Sequence, residues 1–232
     1  MDVEIIRDGY QYNLHFEKGE NVGGLKKAPT KKKQTGTRTH WKPDLEVFTE
    51  IDIPEEYYCD ILRRQAVVNP NLLFVYRNEE ADGSFTEKQY LYENGIADYV
   101  QEIAGDAALT SIQNWSCQRE GQDRSDKPMY KVKLNVALTF SNRIQKIEYY
   151  HNSSWLEHGG SPEKAVKQAF VSQIDSYLRQ NGKYLKNEAK ITFADVEACL
   201  ILVSSSFSTQ TSYENQTKKA ITNKFVYEAM TE

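Results

Sequence analysis

Few side chains in this 232-residue chain stand at spacings that do chemistry. The histidines His15, His40, His151 and His158 are scattered, with no HxxxH or HExxH pair to grip a metal ion. No GxSxG turn presents a serine nucleophile, and no GxxxxGK(S/T) loop wraps a phosphate. Cys59, Cys117 and Cys199 lie far apart without a CxxC pair, which points to reduced thiols and away from a disulfide framework or a cysteine-based metal site. No metal-binding residue is therefore expected.

Three polar stretches keep a chemical reading open. HGGS at 158–161 sets two glycines ahead of a helix start, where free backbone N–H groups hold an anion or glycine simply supplies flexibility before the N-cap. The segment GGLKKAPTKKKQTG at 23–36 crowds Lys26, Lys27, Lys31, Lys32 and Lys33 together, as a solvated mobile loop or as a nucleic-acid face. A net charge of −4 excludes a surface that clings to nucleic acid all over, so only such a local patch is available. Near the end, YENQTKKAITNKF at 213–225 places Gln216, Thr217 and Lys218 in a loop entering a last helix; taken alone, that triplet carries no function.

The elements that must position these residues are readable from periodicity. VEIIRDGYQYNLHF predicts a hairpin turning at Asp8-Gly9, and TGTRTHWKPD a further strand ended by Pro43. Three strands without a helix bury no core, so residues 2–44 read as the tail of a domain whose beginning is missing. From Pro54 the texture changes. A helix runs to Asn69-Pro70, LLFVYR and TEKQYLY flank the turn ADGS, and GIADYVQEIAG is a short helix closed by Gly105. YKVKLNVALTF alternates with period two, and QKIEYYH is its expected antiparallel partner across SNRI. Ser161-Pro162-Glu163 starts the longest helix, which Asn181-Gly182 ends. The solid CLILV run in ACLILVSSSF predicts a central strand covered on both faces. The order implies an α/β (α+β) sandwich with helices packed on one sheet. At 39% hydrophobic and 27% charged residues, with no bilayer-length apolar run and no signal-peptide core after Met1, the cytoplasm is the expected compartment.

Read in order, these segments resemble the B subunit of bacterial type IIA DNA topoisomerases, the gyrase B and topoisomerase IV ParE family. IIRDGYQYNLHFEKG resembles the family's strand pair, and TGTRTHWKPDLEVF its Gly-Thr, aromatic, Pro-Asp, Phe pattern. DILRRQAVVNPNLLFVYRN is similar to its arginine-rich helix, Asn and strand, and YLYENGIADYVQEI to its Tyr-Glu-Gly-Gly-Ile segment. HGGSPEKAVKQAF stands where the family has Gly-Gly-Thr-His and a long helix, while DVEACLILVSSSF and ENQTKK stand at Asp-Val-Arg-Glu-Gly-Leu and Gln-Thr-Lys.

The resemblance implies residues 1–45 as the last strands of a Bergerat-type (GHKL) ATPase sheet and 46–232 as a ribosomal protein S5 domain 2-like transducer. It implies that Lys218, with Gln216 beside it, reaches the terminal phosphate of ATP, and that Gly36 and Thr37 sit beside the adenine-binding aspartate and its water. ATP and Mg2+ would be cofactors of the parent protein, whose catalytic glutamate, magnesium-binding asparagine and lid lie upstream, so this chain alone is not expected to hydrolyse ATP. DNA, a topoisomerase A subunit and a second B subunit are the implied partners. Gly-Gly-Ser-Pro for Gly-Gly-Thr-His, Glu214-Asn215 for Glu-Gly, and Ile221-Thr222-Asn223 for Leu-Gly-Asn mark a divergent member. Two other readings stand beside this one: a non-catalytic S5-fold module that binds nucleic acid or protein, and a fragment of a mismatch-repair MutL-type ATPase.

Overall fold

A computed structural model describes all residues 1–232, which divide into two compact units, Met1–Glu55 and Glu56–Glu232. The first is a five-stranded sheet of β1 (Asp2–Arg7), β2 (Tyr10–Glu17), β3 (Glu20–Asn21), β4 (Lys26–Pro29) and β5 (Gly36–His40). Its order is β3-β2-β1-β5, with β4 also on β2. Asp8 (φ 52°) and Gly9 (φ 77°) both take positive φ, the conformation a two-residue hairpin turn needs to match strand twist. The lysine-rich segment is not loop throughout. Tyr12 pairs with Lys27 and Asn13 with Lys26, and Lys27 Nζ lies 3.9 Å from the Tyr10 ring centroid, a cation–π contact that holds this part of the run to β2. No residue of this unit is buried, as expected of one sheet without a covering layer.

The second unit follows the predicted mixed α/β pattern: α1 (Glu55–Val68), β6 (Phe74–Glu79), β7 (Phe85–Tyr90), α2 (Ile96–Ala104), β8 (Gln113–Gly121), β9 (Tyr130–Phe140), β10 (Lys146–His151), β11 (Ser154–Trp155), α3 (Ser161–Gln180), α4 (Phe193–Glu197), β12 (Leu200–Ser208) and α5 (Lys224–Thr231). Its main sheet runs β11-β10-β12-β9-β8, and β6-β7 is a separate hairpin. Alternation in β12 builds two cores. Leu200 and Leu202 face Val132, Leu134, Val166, Val226 and Ile221 on one side, while Ile201 and Val203 face Val67, Ile96, Val100 and Tyr150 on the other. Helices therefore cover both faces of the sheet, where packing on one sheet leaves the number of covered faces open, and β12 is central as its solid apolar run demands.

QKIEYYH is not the partner of YKVKLNVALTF. β12 lies between them, antiparallel to β9 and parallel to β10, with α3 in the crossover from β10 to β12. The connection at 141–144 is no tight hairpin, because the Ser141 hydroxyl accepts the N–H groups of Arg143 and Ile144 and turns the chain away. β8 carries no sequence signal, since eight of its nine residues are exposed and no apolar alternation is required of them. No helix is long and apolar enough to cross a membrane.

Candidate functional site

The segment holding Gln216, Thr217 and Lys218 leaves the end of β12, and that exit is pinned by a buried histidine. His151, fully buried, places Nδ1 2.8 Å from the Ser206 hydroxyl and Nε2 2.9 Å from that of Thr211. Beside it, Asn152 Nδ2 donates to the carbonyl of Ser208 and to Thr211, and its Oδ1 accepts the Ser208 N–H at 2.9 Å. Burial lowers the His151 pKa from 6.5 to about 4, so the ring is neutral at pH 7. Because the folded value is depressed, the unfolded chain binds more protons between pH 6.5 and 4, and stability must fall as pH drops through that window. The expected contribution is on the order of 2 kcal/mol. Urea unfolding at pH 7 and pH 4.5 checks it, with His151→Gln expected to flatten the difference.

The loop itself is closed at its neck. Thr222 N–H donates to Ser212 O at 2.8 Å, Glu214 N–H to Ala220 O at 3.0 Å, and Tyr213 bridges Ile221 in antiparallel fashion. Asn215 shapes the tip: its Oδ1 accepts the N–H and hydroxyl of Thr217, and its carbonyl accepts the Lys218 N–H at 3.3 Å. Lys218 takes φ 58°, the left-handed turn conformation. Gln216, Thr217 and Lys218 thus stand together, exposed, at a turn whose backbone is fixed from within. Lys218 Nζ has no carboxylate partner and lies 5.6 Å from the Tyr213 ring centroid, whereas its neighbour Lys219 is ion-paired with Glu157.

Below the neck is a polar hub assembled from distant parts of the chain. Asp123 accepts the Tyr130 hydroxyl at 2.8 Å, the Asn223 amide at 2.9 Å and the Phe225 backbone N–H at 2.8 Å. Asn223 Oδ1 in turn accepts the Ser212 N–H at 2.7 Å. Asp123 therefore caps α5 from another element and favours its positive end. These residues escape sequence reasoning because Asp123 and Asn223 are separated by 100 positions and neither sits in a motif. Asp123→Ala is expected to cost about 2 kcal/mol, lowering Tm by several degrees, while Asp126→Ala, which loses only an exposed pair with Arg124, changes it little.

The HGGS segment holds backbone of this same loop, not an anion. Ser161 N–H donates to Ile221 O at 2.8 Å and His158 N–H to Lys219 O at 2.9 Å, so those donors are already taken. Gly160 forms a parallel bridge with Ile221 at φ 82°. In the first unit, Gly36 and Thr37 lie on β5 opposite Ile6 and Ile5 of β1, both exposed, beside a cavity of about 710 Å³ that Glu4, Lys32, Lys33 and Arg38 also line. No three or more His, Cys, Asp or Glu side chains converge as a metal site.

Comparison with known proteins agrees with the segment order. The family model for DNA gyrase B matches residues 95–232. The B subunit of DNA gyrase from Enterococcus faecalis is 25% identical over 225 residues, covering 96% of this chain and 34% of that protein. The B subunit of DNA topoisomerase 4 from Streptococcus pneumoniae is 26% identical over 224 residues, covering 94% of this chain and 33% of its own length. Among solved structures, the B subunit of the DNA gyrase from Myxococcus xanthus superimposes with a TM-score of 0.76 at 17% identity, over 99% of this chain and 63% of that one. The ATPase domain of Thermus thermophilus gyrase B, solved with an aminocoumarin, gives 0.68 at 21% identity, over 99% and 62%. The chain thus spans about a third to a half of the length of the curated relatives it matches.

Proposed function

Because this chain belongs to the DNA gyrase B family, we propose that it is the coupling part of an ATP-dependent type II topoisomerase B subunit. In this reading Glu56–Glu232 is the transducer, Met1–Glu55 is the closing part of the nucleotide-binding sheet, and the parent works on DNA as a dimer of B subunits with an A subunit. The observation that carries it is Lys218, an unpaired cation held at the tip of a neck-closed loop.

The residues fit an anionic phosphate in charge and presentation. When bound, ATP with its Mg2+ supplies the terminal phosphoryl group for transfer to water. Lys218 brings a compact charge on a flexible stem, so it follows negative charge developing on that group without backbone movement. Gln216 lies two residues away on the same exposed tip and adds an amide donor. Gly36 and Thr37 offer a side chain-free backbone position and a hydroxyl for the nucleotide base and an associated water.

Coupling follows from what the tip is attached to. Its neck is bonded to the start of α3 through Ser161 and His158, and to α5 and β9 through Asn223, Asp123 and Tyr130. A gain or loss of the Lys218 contact therefore pulls on two helices and the central sheet together, which makes one ion contact a signal to the unit. The test is DNA-stimulated ATP hydrolysis by the parent B subunit with its A subunit, comparing Lys218→Ala with Lys219→Ala. Loss confined to Lys218 supports the reading, and equal rates overturn it.

A further inference from the structure

The two edges of the main sheet are built in opposite ways. At one end β11 is two residues long, Ser154 and Trp155, too short to template a further strand. At the other end β8 runs for nine residues, Gln113–Gly121, in unbroken register with β9 and therefore without a bulge. It contains no proline and no lysine, eight of its nine residues are exposed, and no strand pairs with its outer side. Sheets ordinarily blunt an open edge with shortness, bulges, proline or lysine, because unpaired N–H and C=O groups recruit another strand. β8 uses none of these devices, so its backbone is set to accept a partner strand.

The sequence of β8 points to that partner by being complementary to itself. When a twofold axis pairs a strand with its own copy, opposed residue numbers have a constant, even sum, because only residues of like parity turn their free groups outward together. The register that overlaps the whole strand is centred on Cys117. It sets Trp115 against Arg119, Asn114 against Glu120 and Ser116 against Gln118, each pair occurring twice. Trp115, 54% exposed, gains a guanidinium over its ring, and Glu120, which has no ion pair of its own, gains an amide donor. Arg119 gives up little, since its pair with Glu232 is 3.7 Å long and open to solvent. No like charges are opposed. Moving the centre to Ser116 or Gln118 loses both tryptophan–arginine pairs.

We propose that β8 pairs with β8 of a second copy of this chain, antiparallel about Cys117, joining the two main sheets into one. On the axis the two Cys117 Cα atoms would stand about 4.5–5.5 Å apart in either type of antiparallel pair, within disulfide reach. The exposed Cys117 thiol is thus a reporter of the register and not the source of the contact. The pairing uses neither nucleotide nor Lys218, so it stands or falls separately from the reading given above.

Sedimentation equilibrium of the 232-residue chain, reduced and without nucleotide, is expected to show a monomer–dimer equilibrium with a dissociation constant of about 10 µM. Cys117→Lys and Cys117→Glu each oppose like charges on the axis at an exposed position, so each is expected to weaken the dimer at least about tenfold with unchanged Tm. Mixing the two variants is expected to restore association as a heterodimer, which a folding defect in either would not allow. Trp115→Ala is expected to weaken the dimer about tenfold, the scale of one lost cross-strand aromatic–cation pair at both ends of the ladder. Diamide, which takes up the two protons and two electrons released by a pair of thiols, is expected to join Cys117 to Cys117, identified by peptide mapping. A chain still monomeric at about 200 µM, a dimer equally tight in both charge variants, a mixture no tighter than either variant alone, or a disulfide mapped elsewhere would overturn the proposal.

Discussion

Lys218→Ala in the parent B subunit is expected to lower DNA-stimulated ATP hydrolysis by roughly a hundredfold near saturating nucleotide, equivalent to about 2.7 kcal/mol of transition-state stabilisation. The size follows from the contact's proposed nature, since one preorganised donor aimed at developing charge in a water-poor site is worth about that much, and more than an ion pair in open water. The Lys218 ammonium has no competing carboxylate to leave, so none of the contact's energy is spent in breaking a prior ion pair. Lys219→Ala is the matched control. It loses an exposed pair with Glu157 and is expected to change the rate by less than about threefold. Lys218→Arg separates charge from shape: a guanidinium keeps the positive charge but spreads it over a wider fork, so partial recovery is expected. A parent rate unaffected by Lys218→Ala would favour a binding module built on the same fold. Salt-dependent DNA binding that disappears when Lys31, Lys32 and Lys33 are neutralised would then be its signature.

The order of segments along the chain is legible in the sequence because it is collinear with the family's, whereas contacts between distant segments are not. β9 and β12 announce themselves, the first through Tyr130, Val132, Leu134 and Leu138 at period two, the second through an apolar run that two core clusters consume. Both ends of α3 are marked by its Pro162 and by Asn181-Gly182. Strand neighbours are a different kind of information. β10 and β9 are adjacent in sequence, yet β12 separates them, because the most continuously apolar strand gains most from the centre of the sheet. β8 is invisible for the complementary reason: an exposed edge strand needs no apolar face. At the site, Asn215 is a turn residue whose role can be read locally, but the Asp123, Tyr130 and Asn223 hub exists only after β9, α5 and the preceding loop have met.

Gly160→Ala is expected to be the most damaging single substitution around the loop, costing more than about 4 kcal/mol or preventing folding. Two penalties coincide there. At φ 82° and ψ −129° the backbone occupies a region that glycine alone enters readily. A Cβ would also meet Ile221 O at 2.2 Å and Ile221 N at 2.8 Å, which are backbone atoms that cannot swing aside. Moving them breaks the Ser161 N–H bond to Ile221 and with it the attachment of the Lys218 loop to α3. Two other glycines isolate the causes. Gly182→Ala shares the positive φ, 57°, but meets nothing, so about 1 kcal/mol is expected. Gly121→Ala has ordinary φ and its nearest contacts are the Phe225 ring, a side chain and not backbone, so about 2 kcal/mol is expected. Urea denaturation of the three variants against the parent gives the ranking directly. A Gly160→Ala chain within about 1 kcal/mol of the parent would mean that Ile221 is not seated against this glycine, and that α3 is not the element through which the loop reports.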